Sequence, residues 1–294
     1  MLAALVLYAV LAGADFGGGA WDLFAAGPRA KAQRELVSHA LAPVWEANHV
    51  WLILIVVILF TAFPPAFAAL MTALHAPLML MLAGIVMRGS AFVFRQYGKS
   101  GNEMWGRVFA VASTVTPVFL GMALGAMSTG GAWHGVFPLC VGLFSLSLFA
   151  MVAAVFLTVE APERALQDDF RLRALGAAIV SAALAAVTAF VAPRPFVPLP
   201  AAASSVVLGA ALLGALWLRR YGAARPLAVA LVTLVVIGWG YGQYPYLLVP
   251  NVTLHAVAAP EPTLRLLLPT LGLGALVLFP SLFWLMRVFK TVGR

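Results

Sequence analysis

The sequence predicts an all-α integral membrane protein of about nine transmembrane helices in one membrane domain, and three observations carry that reading. The first is composition: of 294 residues, 63% are hydrophobic and only 10% charged, which excludes a soluble globular domain. The second is the form of the apolar runs. Stretches such as "LILIVVILF" and "LMLMLAGIV" are continuous rather than alternating, so they read as spanning helices and not as barrel strands. The third is charge segregation. In a nine-span arrangement, all of the 18 Lys and Arg residues except Arg194 and Arg265 fall on one side. The positive-inside rule then puts the N-terminus outside and the C-terminus in the cytoplasm.

The spans fall at residues 1–25, 38–62, 68–88, 108–130, 135–160, 175–193, 199–218, 226–250 and 264–289. The first opens directly on "MLAALVLYAV" and is short before Asp15, which is compatible with a start further upstream or with a helix that begins partway into the bilayer or is cleaved from a longer precursor; it lacks the basic leader of a signal peptide. The second enters through "APVWEANHVW" and stops at "FPPAF", whose prolines read as a turn before the third. The fourth and fifth flank the turn "STGGAWHG". After the fifth, the mixed-charge stretch "EAPERALQDDFRLR" (160–173) reads as a solvated connection. The sixth and seventh spans are rich in small residues with no ionisable side chain inside them, which suits close helix packing. The eighth ends in "GWGYGQYPYLLVP", where Gly and Pro permit a broken end and the aromatic rings suit a membrane interface. The ninth span closes the chain, and the spans group as residues 1–130, 135–250 and 264–289 of the single domain. The lone Cys140 leaves no disulfide framework within the chain. The net charge of +8 follows from basic loops facing anionic headgroups and needs no nucleic acid.

Ionisable side chains within spans are costly, so they mark where function sits. Here they are Asp15, Glu46 and Arg88, with Asn48, His49 and His75 beside or near them. Counted from the inner helix ends, Asp15 and Glu46 share a depth of roughly 13 Å at 1.5 Å per residue, so the two acids could face one another across adjacent helices. Glu46 and His49 lie on one face, at i and i+3. Burial disfavours a charged carboxyl, and a protonatable acid at this depth suits a proton relay. The plainer alternative is that Asp15 hydrogen-bonds the glycine-rich stretch "GADFGGGAWD" and that Arg88, at the end of its span, snorkels to the interface. His75, His134 and His255 have no partner at metal-site spacing. No motif for nucleophilic chemistry or phosphate binding appears, so the chain is not expected to catalyse alone.

The segments "YAVLAGADFGGGAWDL", "APVWEANHVWLILIVVILFTAFPPAFA", "IVMRGSAFVFR" and "YPYLLVP", taken in order, resemble subunit II of the cytochrome bd quinol oxidases. The resemblance is strongest over residues 8–95. It implies two four-helix bundles plus one extra helix, packed in a bacterial inner (cytoplasmic) membrane against a subunit I. That partner would hold the quinol site and all the haems, two of type b and one of type d, and small accessory subunits could attach. The complex would oxidise quinol and reduce O2 to water, with Asp15 and Glu46 matching acids that line a proton route from the cytoplasm. The family usually has Asp where Glu46 stands, and a further acid where this chain has Ala12. A secondary transporter with paired intramembrane carboxylates is the alternative from another class; its odd helix count and lack of inverted repeats weigh against it.

Overall fold

The computed structural model describes the backbone of residues 1–97, 102–193 and 198–292, with the side chains of 41–46, 96–97, 102, 285–286 and 288–292 outside the description. The elements in order are α1 (Leu2–Leu23), α2 (Ala30–Ala62), α3 (Pro64–Ala73), α4 (His75–Tyr97), α5 (Asn102–Met127), α6 (Val136–Glu160), α7 (Arg164–Val191), α8 (Leu199–Trp217) and α9 (Tyr221–Gln243). A small hairpin, β1 (Tyr246–Leu248) with β2 (Val252–Thr253), and a long α10 (Glu261–Val292) complete them. Among the described residues, eight helices are long and apolar enough to cross a membrane. The count becomes nine when Ala47–Ala62 of α2 is taken with α3, across a 119° bend.

Helix α1 sits at the centre, against α2, α5, α6 and α9. Its glycines decide how closely: a Cβ on Gly17 would lie 2.1 Å from the Phe149 carbonyl oxygen, so only hydrogen lets α1 and α6 meet backbone to backbone. Around that seam Tyr8, Ala12 and Phe16 interlock with Met151, Val152 and Val155, and Leu212, Leu216 and Val232 extend the core to α8 and α9. The outer faces keep large apolar side chains exposed, among them Ile53, Phe60, Val86 and Phe190, the pattern expected where the solvent is hydrocarbon. Helix α10 lies at the periphery, held to α2 by Trp51 against Phe279 at 5.8 Å between ring centroids.

The two ends of the bundle differ. At one, Arg29 donates to Asp169 at 2.8 and 2.6 Å, Gln33 donates to the same carboxylate, and Arg173 reaches Gln33 and the Phe24 carbonyl. Arg171 satisfies the last carbonyls of α8, at Leu216 and Trp217. At the other end the hairpin closes over α3 and α5, with the Val249 N–H on the Met127 carbonyl at 3.0 Å and Ser128 donating to Gln243 at 2.6 Å.

Several boundaries differ from the sequence reading, among them the eighth span, which ends at Gln243 rather than at residue 250 because the chain turns there into the hairpin. The third span is α4, 75–97 rather than 68–88, because Pro64 and Pro65 start a separate short helix that turns away at Phe63. Helix α2 begins at Ala30 rather than at residue 38. The charged stretch 160–173 is largely the first turns of α7, since Asp169 and Arg173 find partners on α2 and on the α1–α2 turn.

Candidate functional site

Residue Asp15 lies eight positions before the end of α1, and Arg88 nine positions before the end of α4. At 1.5 Å per residue both sit roughly 12–14 Å in from the arginine-rich end. They meet. The Arg88 guanidinium donates Nη1 to Asp15 Oδ2 at 2.9 Å and Nη2 to Asp15 Oδ1, a two-pronged pair, and its Nη2 also lies 3.4 Å from the Asp15 carbonyl oxygen. Its Nε donates to Ser113 Oγ at 2.8 Å, and that hydroxyl donates on to the Phe109 carbonyl at 2.7 Å. The rings of Phe16 and Phe109 cover the guanidinium at 4.7 and 4.9 Å. The side chains of Arg88 and Asp15 are 2% and 0% exposed.

The planar fork of Arg is what this geometry requires: five N–H donors divided between a carboxylate, a carbonyl and a hydroxyl leave little of a buried cation unsatisfied. Arg88 therefore does not snorkel, contrary to the plainer expectation, because the helix continues for nine residues beyond it and its acid lies at its own depth. Nor does Asp15 depend on its glycine neighbours for hydrogen bonds. Asn48, fully buried on α2, adds a third donor, Nδ2 to Asp15 Oδ2 at 3.2 Å. The Asn48 Oδ1 is buried with no hydrogen-bond partner among the described residues. An orphaned acceptor beside an ion pair is a place for a water or a transient donor.

Of the residues singled out from sequence, Asp15, Asn48 and Arg88 come together. The Glu46 side chain lies outside the described residues, and its backbone is part of α2. His49 is half-buried on α2 and is engaged in an interaction of its own. His75 opens α4 and His134 lies in the turn before α6, both toward the hairpin end, where His255 also pairs with the Tyr244 hydroxyl at 3.1 Å. Among the described residues no three His, Cys, Asp or Glu side chains cluster as a metal site.

The sequence reading missed Ser113, and it missed a second ion pair. Arg95 donates to Asp22 at 2.9 and 3.4 Å, so α4 and α1 carry two pairs, each partner seven residues beyond the first. The available signal was that shared spacing: seven residues is close to two helical turns, so Asp15 with Asp22 and Arg88 with Arg95 form matching stripes.

The sequence model of the family described as Cytochrome bd terminal oxidase subunit II matches residues 1–289. A Bacillus subtilis (strain 168) relative, whose name assigns it as subunit II of a cytochrome bd menaquinol oxidase, is 24% identical over 98% of this chain and 93% of its own length. The cytochrome bd-I ubiquinol oxidase subunit 2 of Escherichia coli (strain K12) is 30% identical over 43% of this chain and 33% of its own length. The fold is similar to a chain from the structure of bd oxidase from Geobacillus thermodenitrificans, with a TM-score of 0.78 at 23% identity, covering 98% of this chain and 96% of that one. A match along the whole length does not favour the transporter alternative. The chain belongs to the cytochrome bd terminal oxidase subunit II family.

Proposed function

We propose that this chain is the haem-free subunit of a quinol:O2 oxidoreductase and lines part of the route by which protons reach the site of oxygen reduction from the cytoplasm. Its N-terminus faces outward and its arginine-rich end faces the cytoplasm, in a bacterial inner membrane. Its helices form two four-helix bundles with α10 outside them, against a subunit I that holds the haems, two b and one d, and the quinol. Small accessory subunits are compatible with the exposed apolar faces. The observation that carries the reading is the Asp15–Arg88–Asn48–Ser113 network, buried in mid-helix where a purely structural bundle has no need of charge.

In this reading the network is a fixed polar floor rather than the moving proton itself. The guanidinium holds the Asp15 carboxylate, Asp15 orients Asn48, and the unengaged Asn48 Oδ1 accepts from a water or a protonated acid passing by. Glu46 is the group that loads and unloads the proton, and His49, three residues on, is the neighbour that orients it or passes the proton onward. The test is turnover per haem d in the purified complex. Glu46→Gln keeps haem content but slows oxygen reduction, whereas Glu46→Asp, which restores the family's usual residue, is mild. Full turnover by Glu46→Gln removes Glu46 from the mechanism.

A further inference from the structure

Helix α1 carries more than the buried pair. Counting toward the arginine-rich end, Asp15, Gly19 and Asp22 are spaced by four and three residues and share one face. Asp22 ends this stripe, one residue before the helix does, and is 4% exposed beneath Arg95, whose side chain is 26% exposed. Between the two acids, Gly19 has no side chain, and a Cβ there would lie 2.2 Å from Ser113 Oγ. The space is taken by the same hydroxyl that receives Arg88. The Ser113 hydroxyl therefore stands between the inner pair and Asp22, beside the Phe109 ring.

The two pairs are built differently. Arg88 is enclosed by two phenyl rings, a hydroxyl and a carbonyl, and has nowhere else to go. Arg95 makes one good hydrogen bond at 2.9 Å and one long one at 3.4 Å, and is a quarter exposed at the mouth of the bundle. Water reaches the Arg95 guanidinium at the mouth and can replace part of its pairing, so Arg95 leaves its partner more readily than the enclosed Arg88.

We infer that Asp22 is the proton-intake acid of this route and that Arg95 is the movable cation covering it. When Arg95 swings into water, the Asp22 carboxylate takes one proton from hydronium or a buffer acid at the mouth and gives it up, by way of water, to the Glu46 carboxylate that carries it in the route proposed above. The carboxylate is then restored and Arg95 closes over it again. Asp22 is the proton carrier and Arg95 a positioning residue. This rests on the proton-route reading above, and the closing experiment separates the two.

The experiment compares D22N, D22E and R95Q with E46Q in the complete purified oxidase, reading haem d content and oxygen turnover per haem d. The inference expects D22N to keep its haem d and turn over at least about tenfold more slowly, D22E to recover most of the rate, and R95Q to stay within about twofold because the carboxyl remains. A purely structural clamp predicts that D22N and R95Q do equal harm, since either one breaks the pair. Equal slowing, loss of haem d from D22N, or full turnover by D22N alongside a slow E46Q overturns the inference and leaves the wider reading standing. Full turnover by D22N and E46Q together overturns both.

Discussion

Replacing Arg88 by Met tests the energetic basis of the site directly. Methionine fills most of the volume of the arginine stem and keeps its contact with the Phe16 and Phe109 rings, but every donor is lost. Asp15 gives up both prongs of the guanidinium and keeps, among the described residues, only the Asn48 amide at 3.2 Å. Ser113 Oγ loses its donor as well. Removing one partner of a buried pair leaves an uncompensated charge, which costs about 3–5 kcal/mol. Spread over a chain of this size, such a loss lowers the midpoint of thermal inactivation by on the order of 10 °C. The assay is heating of the detergent-purified oxidase complex while following the haem spectrum that stays soluble. The double variant Asp15→Leu with Arg88→Met removes both charges and their desolvation penalty, and should recover most of the lost stability. A midpoint for Arg88→Met within about 2 °C of the parent, or a double variant less stable than the single one, would refute the claim that the pair is closed off from water.

Gly17→Ala should be among the most damaging small substitutions, costing about 1–3 kcal/mol or more, because its methyl meets the Phe149 backbone at 2.1 Å and not a flexible side chain; the yield of assembled complex checks it. Gly176→Ala is the control within α7: nothing lies within 4 Å of the added carbon, so the same assay should show no loss, or a gain of up to about 1 kcal/mol from helix propensity. Trp21→Phe removes the indole N–H that reaches the Ala150 carbonyl at 2.7 Å. Thermal midpoints should place its cost near 1 kcal/mol, and an unchanged midpoint would argue against that bond. Arg29→Ala breaks the tie to Asp169, but with Arg29 47% exposed the loss should stay below about 1 kcal/mol and shrink further as salt is raised.

How much of this protein is written locally in its sequence follows from the solvent it folds in. A segment that crosses hydrocarbon must satisfy its backbone internally and show apolar side chains outward. The helices, their approximate number and the clustering of Lys and Arg at alternate helix ends are therefore legible residue by residue. The same logic flags Asp15, Asn48 and Arg88, because polar groups are rare where they stand. What the sequence does not state is who meets whom. The pairing of Asp15 with Arg88 across 73 residues of chain, and its repetition one stripe along by Asp22 and Arg95, depend on α4 starting at His75 after the bend at Phe63. The prolines at 64 and 65 announce a break there, but that the chain resumes as a separate short helix at 119° before α4 is seen only in the tertiary structure. A seven-residue shift in where a helix begins moves a residue by roughly 10 Å at 1.5 Å per residue. For Arg88 that shift separates an interface cation from a buried partner for Asp15. Apolar pattern fixes which segments cross the membrane because burial is summed over many residues. Ion pairing is decided by a few atoms within about 3 Å of each other, and only the packed helices bring those atoms together.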